Sequence, residues 1–92
     1  MAIEVRIPTI LRTYTDGEKA VTGTGETLSA LLDDLESRHS GLQARLLDGG
    51  KLRRFVNVYL NDEDVRFLDG LNTAVREGDV VTVLPAVAGG AR

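Results

Sequence analysis

Apolar and polar positions alternate at the start of the chain, where Ile3, Val5 and Ile7 are separated by Glu4 and Arg6. A period of two marks a half-buried strand, and Pro8, which has no N–H for a ladder, closes it. Tyr14-Thr15-Asp16-Gly17 reads as a turn, Glu18 to Thr22 as a second, shorter strand, and Thr22-Gly23-Thr24-Gly25 as a loop. The period then changes. Leu28, Leu31, Leu32 and Leu35 recur at i, i+3, i+4 and i+7, with Asp33, Asp34 and Glu36 on the opposite side, which predicts a helix packed by one leucine stripe. Thr27 suits the N-cap, Arg38 and His39 the last carbonyls and Gly41 the stop, giving about 13 residues and ~20 Å of helix.

Leu42, Leu46 and Leu47 suggest a second, short helical piece ended by Asp48-Gly49-Gly50. Phe55 to Leu60 is the strongest strand: Val56, Val58 and Leu60 share one face, and Phe55, Asn57 and Tyr59 the other. Asn61-Asp62-Glu63-Asp64 breaks it, and Val65 to Phe67 reads as a short return strand. After a turn at Asp69-Gly70, Leu71 and Val75 are expected to pack inward. Glu77-Gly78-Asp79 then leads into Val80-Val81-Thr82-Val83-Leu84, an apolar run typical of a buried central strand, stopped by Pro85. A right-handed crossover would set this last strand parallel beside the first. The expected fold is an α+β, β-grasp (ubiquitin-like) roll: a mixed sheet of four to five strands with one main helix on one face and the other face open. The domain spans 1–84, and residues 85–92 form a small-residue tail expected to be mobile.

Composition narrows the function classes. The 92 residues are 42% hydrophobic and 27% charged, as in ordinary globular chains, with a formal net charge of −3. There is no cysteine, which removes disulfides, thiolate nucleophiles and Cys-ligated metals. No apolar run approaches the ~20 residues of a membrane span. Charges at Glu4 and Arg6 sit where a signal peptide needs an apolar stretch, so the expected location is cytoplasmic, with no membrane partner. An acidic chain lacks the footprint of a nucleic-acid binder.

Candidate chemistry is sparse. Gly23-Thr24-Gly25 before a helix invites a phosphate loop, but the Gly-x-x-x-x-Gly-Lys-Ser/Thr pattern is missing and a plain connection is the simpler reading. Asp62-Glu63-Asp64 lacks calcium-loop spacing. His39 beside Ser37 and Ser40 has no nucleophile elbow and reads as a helix-end residue. Lys51-Leu52-Arg53-Arg54 is a short basic cluster flanking Phe55 and Tyr59. Arg54, Phe55 and Tyr59 form a partner surface if the open face stays open; alternatively Leu11 or Tyr14 from the early loop covers the aromatics. The segment Pro85-Ala86-Val87-Ala88-Gly89-Gly90 reaches about 20 Å when extended, and glycine lets backbone enter a channel too narrow for side chains. A frayed terminus is the bland alternative.

Three blocks of sequence carry a resemblance. They are Ile7-Pro8-Thr9-Ile10-Leu11-Arg12, the stretch Arg54-Phe55-Val56-Asn57-Val58-Tyr59-Leu60-Asn61-Asp62-Glu63-Asp64-Val65-Arg66-Phe67, and Leu84-Pro85-Ala86-Val87-Ala88-Gly89-Gly90. Through them the chain resembles the ubiquitin-like sulfur carrier proteins of the MoaD/ThiS family, and within it the actinobacterial carriers of cysteine biosynthesis. The resemblance implies a non-enzymatic protein that binds no cofactor and no metal. Its Gly90 carboxylate is adenylated by an E1-like, MoeB-type activating enzyme using ATP and converted to a thiocarboxylate. Pro85, Ala86, Val87, Ala88 and Gly89 are then the tail read by partners. It further implies a PLP-dependent cysteine synthase or other sulfur acceptor enzyme as partner. A JAMM-type metallopeptidase would release the product. The family pattern ends at the second glycine, so Ala91-Arg92 is expected to be removed, unless the dipeptide is a cloning scar. Alternatives of the same resemblance are a molybdopterin synthase small subunit, a thiamine or thio-metabolite carrier, and a ubiquitin-like protein modifier.

Overall fold

The computed structural model describes residues 2–54 and 56–85. Strand β1 (Ile3–Arg6) pairs antiparallel with β2 (Ala20–Gly23) and parallel with β7 (Val80–Pro85). On its far side β7 pairs antiparallel with β5 (Val56–Leu60), which pairs with the two-residue β6 (Glu63–Asp64). The five-stranded order is β2-β1-β7-β5-β6, so the first and last long strands are central, as the crossover argument requires.

Helix α1 (Leu28–Glu36) covers one face. Its Leu28, Leu31, Leu32 and Leu35 are at most 1% exposed and meet Ile3, Val5, Val58, Val81 and Val83 in one core. Burying each leucine is worth roughly 1.5–3 kcal/mol. Thr27 caps the helix, its hydroxyl accepting from the Ala30 N–H at 3.2 Å. The Leu28 N–H goes to the Thr73 carbonyl at 2.9 Å and the Val75 N–H to the Glu26 carbonyl at 3.1 Å, stitching the helix start to the segment before β7. Leu71 is partly buried against the core and Val75 is buried, as expected.

The helix is shorter than its spacing suggests. It ends at Glu36, and the Arg38 guanidinium crosses to the Thr22 carbonyl and the Asp34 carboxylate instead of meeting the last carbonyls. The Glu36 carboxylate reaches past the break and accepts from the Gly41 and Gln43 N–H groups at 2.9 and 2.8 Å. It thereby caps α2 (Leu42–Leu46), whose own N-cap Gly41 has no side chain and a φ of 94°. These two bonds, Gly41 first, hold the Glu36 carboxyl below its ordinary pKa.

Other local readings need correction. Asp48-Gly49-Gly50 does not simply end a helix: β3 (Leu47–Asp48) and β4 (Lys51–Leu52) form a separate hairpin across Gly49-Gly50, both at positive φ. Two-residue strands carry too few positions to show a period. Val65–Phe67 is a 3₁₀ turn, capped by the Asp64 carboxylate accepting from the Arg66 N–H at 2.8 Å; the return strand is Glu63–Asp64. Thr9–Thr15 is likewise a 3₁₀ turn, with the chain reversal following at Asp16-Gly17. Gly23 belongs to β2 rather than to the loop after it.

Candidate functional site

Paired residues of neighbouring strands share a sheet face, so register defines the face opposite the helix. One row runs Ala20, Arg6, Thr82, Tyr59 and Asp64 across all five strands. Leu84, paired with Asn57, continues this face toward the end of β7 and is 45% exposed. Tyr59 is half-buried in the row. The early loop does not cover it: Leu11 is buried in the core, and the Tyr14 hydroxyl accepts from Arg45 Nε at 2.6 Å beside α2. Arg54 is exposed. Phe55 lies outside the described residues, as do Ala86, Val87, Ala88, Gly89, Gly90, Ala91 and Arg92.

Pro85, exposed at the end of the central strand, is where the described chain ends. Two grooves flank Leu84, and one of them reaches Pro85. One, of about 220 Å³, is lined by Pro8, Ile10, Leu11, Arg45, Arg53, Val56, Val83, Leu84 and Pro85. The other, of about 310 Å³, lies on the open face between Arg6, Arg12, Lys19, Thr82 and Leu84. Ile10 is 66% exposed at the first groove. Arg66 organises the approach to β5: its guanidinium donates to the Arg53 carbonyl at 3.1 Å, the Val56 carbonyl at 2.6 Å and Asn57 Oδ1 at 2.6 Å. A guanidinium suits this work because its fork of donors can satisfy several acceptors at once. Spacing did not single out Ile10, Arg12, Arg45 or Arg66. Apart from the blocks that carry the family resemblance, the basic run Lys51-Leu52-Arg53-Arg54 is the sequence signal that points here.

The rejected chemistries have structural explanations. A Cβ on Gly25 would lie 2.6 Å from the Leu31 nitrogen, and one on Gly23 2.8 Å from Leu31 Cδ1, so both glycines serve close helix packing. The Leu28 and Ala30 N–H groups that an anion would need are already bonded to Thr73 and Thr27. The Ser37 hydroxyl donates to the Asp34 carbonyl at 2.6 Å, so its proton goes to the helix backbone and not to His39. Asn61 and Asp62 take positive φ in the two-residue turn between β5 and β6, and Asp64 is occupied as a cap. Among the described residues no group of three or more His, Asp or Glu side chains could hold a metal. Among them, too, no helix is long and apolar enough to cross a membrane.

The ThiS family profile matches residues 5–90, nearly the whole chain. The chain belongs to the ThiS family. The sulfur carrier protein CysO of Mycobacterium tuberculosis is 58% identical over 93 residues, covering 98% of this chain and 100% of that protein. A solved structure, the BexX/CysO complex of Amycolatopsis orientalis, contains a chain that is 60% identical with a TM-score of 0.92, covering 97% of this chain and all of that one. Small archaeal modifier protein 3 of Haloferax volcanii is 44% identical over 64 residues, 70% of each chain. The ThiS-family member described here is therefore a small ubiquitin-like protein of the CysO type and not an enzyme.

Proposed function

We propose that this chain is a sulfur carrier working through Gly90. Similarity to a sulfur carrier protein along nearly the whole chain, at 58% identity, supports this reading most strongly. The geometry agrees with it, since the central strand brings the backbone to an exposed end at Pro85, five residues before Gly90 in the sequence. A JAMM-type metallopeptidase hydrolyses the Gly90–Ala91 bond and frees the Gly90 carboxylate. A MoeB-type activating enzyme then joins that carboxylate to the α-phosphate of ATP, releasing pyrophosphate. A sulfide-level donor attacks the acyl carbon and expels AMP, leaving a thiocarboxylate. On a PLP-dependent cysteine synthase in the cytoplasm the thiocarboxylate sulfur would add to an aminoacrylate acceptor. An S-to-N acyl shift would leave cysteine amide-linked to Gly90, and hydrolysis of that amide by the JAMM-type peptidase would free cysteine and the Gly90 carboxylate. The carrier itself contributes the acyl group and the docking surface, with Arg54, Phe55 and Tyr59 on that surface and Pro85 to Gly89 read in the partner channel.

The test is intact mass. A chain ending at Gly90, incubated with a MoeB-type enzyme, Mg-ATP and sulfide, gains the mass difference of one oxygen exchanged for sulfur. A chain retaining Ala91-Arg92 does not, unless the peptidase is added. An unchanged mass in the trimmed chain refutes the carrier reading. The similarity to a small archaeal modifier protein favours a second reading, covalent attachment of Gly90 to lysines of other proteins. Lysine-linked remnants of this tail in digests of cell protein would establish it.

A further inference from the structure

The chain carries a net charge of −3, yet five of its eleven Lys and Arg residues line the two grooves beside Leu84. The two grooves flanking Leu84 are lined by Arg6, Arg12, Lys19, Arg45 and Arg53, with Glu4 as their one carboxylate. Glu4 is already paired with Arg6 at 2.8 Å. Among the described residues the ion pairs are this one and Arg38–Asp34, so Arg12, Arg45 and Arg53 face the grooves without a carboxylate partner. Each is held by its Nε: Arg12 donates to the Ile7 carbonyl at 3.1 Å, Arg45 to the Tyr14 hydroxyl at 2.6 Å, and Arg53 to the Ala44 carbonyl at 3.0 Å. Tethering at Nε restrains the side chain and leaves the terminal amino groups to pair with something else. The entropic cost of a further contact is correspondingly smaller.

We propose that Arg12, Arg45 and Arg53 form a cationic collar that docks a partner protein whose receiving mouth is fringed with carboxylates. The floor between them is aliphatic, with Ile10 66% and Leu84 45% exposed, and an apolar centre with a charged rim is the anatomy of a protein interface. Guanidinium forks match carboxylates in a bidentate way. A nucleic acid fits poorly, because the body behind the collar is acidic and would repel a long polyanion. The collar rests on the carrier reading only in supposing that the chain beyond Pro85 enters the docked partner.

The experiment is an amide NMR titration of the full-length chain at low ionic strength with a hexaglutamate peptide, alongside hexalysine and tripolyphosphate. Hexaglutamate should shift Ile10, Arg12, Arg45, Arg53 and Leu84 selectively, and 1 M salt should abolish the shifts, since screening then acts within about 3 Å. The triple variant R12Q/R45Q/R53Q should bind about 10-fold more weakly, the sum of three modest exposed pairs. R12K/R45K/R53K keeps the charge but loses the fork and the Nε tether, so its affinity should fall between those of the parent and the glutamine triple variant, while R76Q should bind as the parent does. Shifts spread over the remaining basic residues, unaltered affinity in the glutamine triple variant, or shifts of these same residues by hexalysine would overturn the collar. Tripolyphosphate saturating these residues at lower concentration than the peptide would overturn the assignment to a protein surface. No ligase or sulfur donor takes part, so a flat titration refutes the collar alone, whereas an unchanged mass in the thiolation assay refutes the carrier reading alone.

Discussion

Replacing Gly25 by alanine isolates the role of the glycine loop before α1. Gly25 does not occupy the left-handed region, so an added methyl group meets no intrinsic backbone strain. It meets the helix instead: its Cβ would lie 2.6 Å from the Leu31 nitrogen, 2.9 Å from the Ala30 carbonyl carbon and 3.0 Å from Leu31 Cα. Main-chain atoms cannot swing aside as a side chain would, so the loop and the start of α1 must separate by most of an ångström. Overpacking of this kind costs about 1–3 kcal/mol. The separation also strains the Leu28–Thr73 and Val75–Glu26 bonds, each worth about 1 kcal/mol. A total of roughly 2–4 kcal/mol lowers Tm by about 10–20 °C in a domain of this size. Thermal unfolding followed by circular dichroism measures the loss, and hydrogen exchange locates it, with Leu28 and Val75 amides accelerated most. Gly17→Ala is the control: nothing lies within 4 Å of its Cβ, and its φ of 85° costs about 1–2 kcal/mol without touching those two amides. Full stability in Gly25→Ala, or a loss with no excess exchange at Leu28 and Val75, would refute the close-packing account.

Two further outcomes follow from the same geometry. Because the Glu36 carboxyl is held below its ordinary value by the Gly41 and Gln43 N–H groups, its contribution to stability is complete above the unfolded pKa near ~4.3 and is lost as pH falls through the lower folded value. Denaturant titrations across this acid range should show a steeper decline for the parent than for Glu36→Gln, and parallel curves would exclude the cap. Arg66→Ala should destabilise the domain by about 1–2 kcal/mol, through lost charge-assisted bonds to the Arg53 and Val56 carbonyls, and should accelerate exchange of the Val56 amide. A silent Arg66→Ala variant would mean that these bonds are replaced by water at no cost.

Much of this fold was legible in the chain because long periods leave little freedom. The leucine stripe of α1 and the alternations at Ile3–Ile7 and Val56–Leu60 each bury one face, and a one-residue slip would expose it. Short elements gave no such signal. The Gly49-Gly50 hairpin and the 3₁₀ turn at Val65–Phe67 depend on turn geometry and on a cap at Asp64, which hydrophobic spacing does not encode. Arg38 favoured a strand carbonyl over its own helix end for a tertiary reason. The candidate site was legible mainly by resemblance. Arg12, Arg45, Arg53 and Arg66 come from different stretches of the chain, and tertiary contacts such as Arg45 to Tyr14 and Arg66 to the Arg53 carbonyl draw them together.

The placement of β7 has a mechanical consequence. This strand is bonded to β1 along one edge, at Val80–Thr82, and to β5 along the other, at Val81–Pro85. A pull applied through its final residue runs along these ladders and loads their bonds together in shear, instead of peeling them open one at a time. A domain built this way resists such a pull until both ladders yield as a unit.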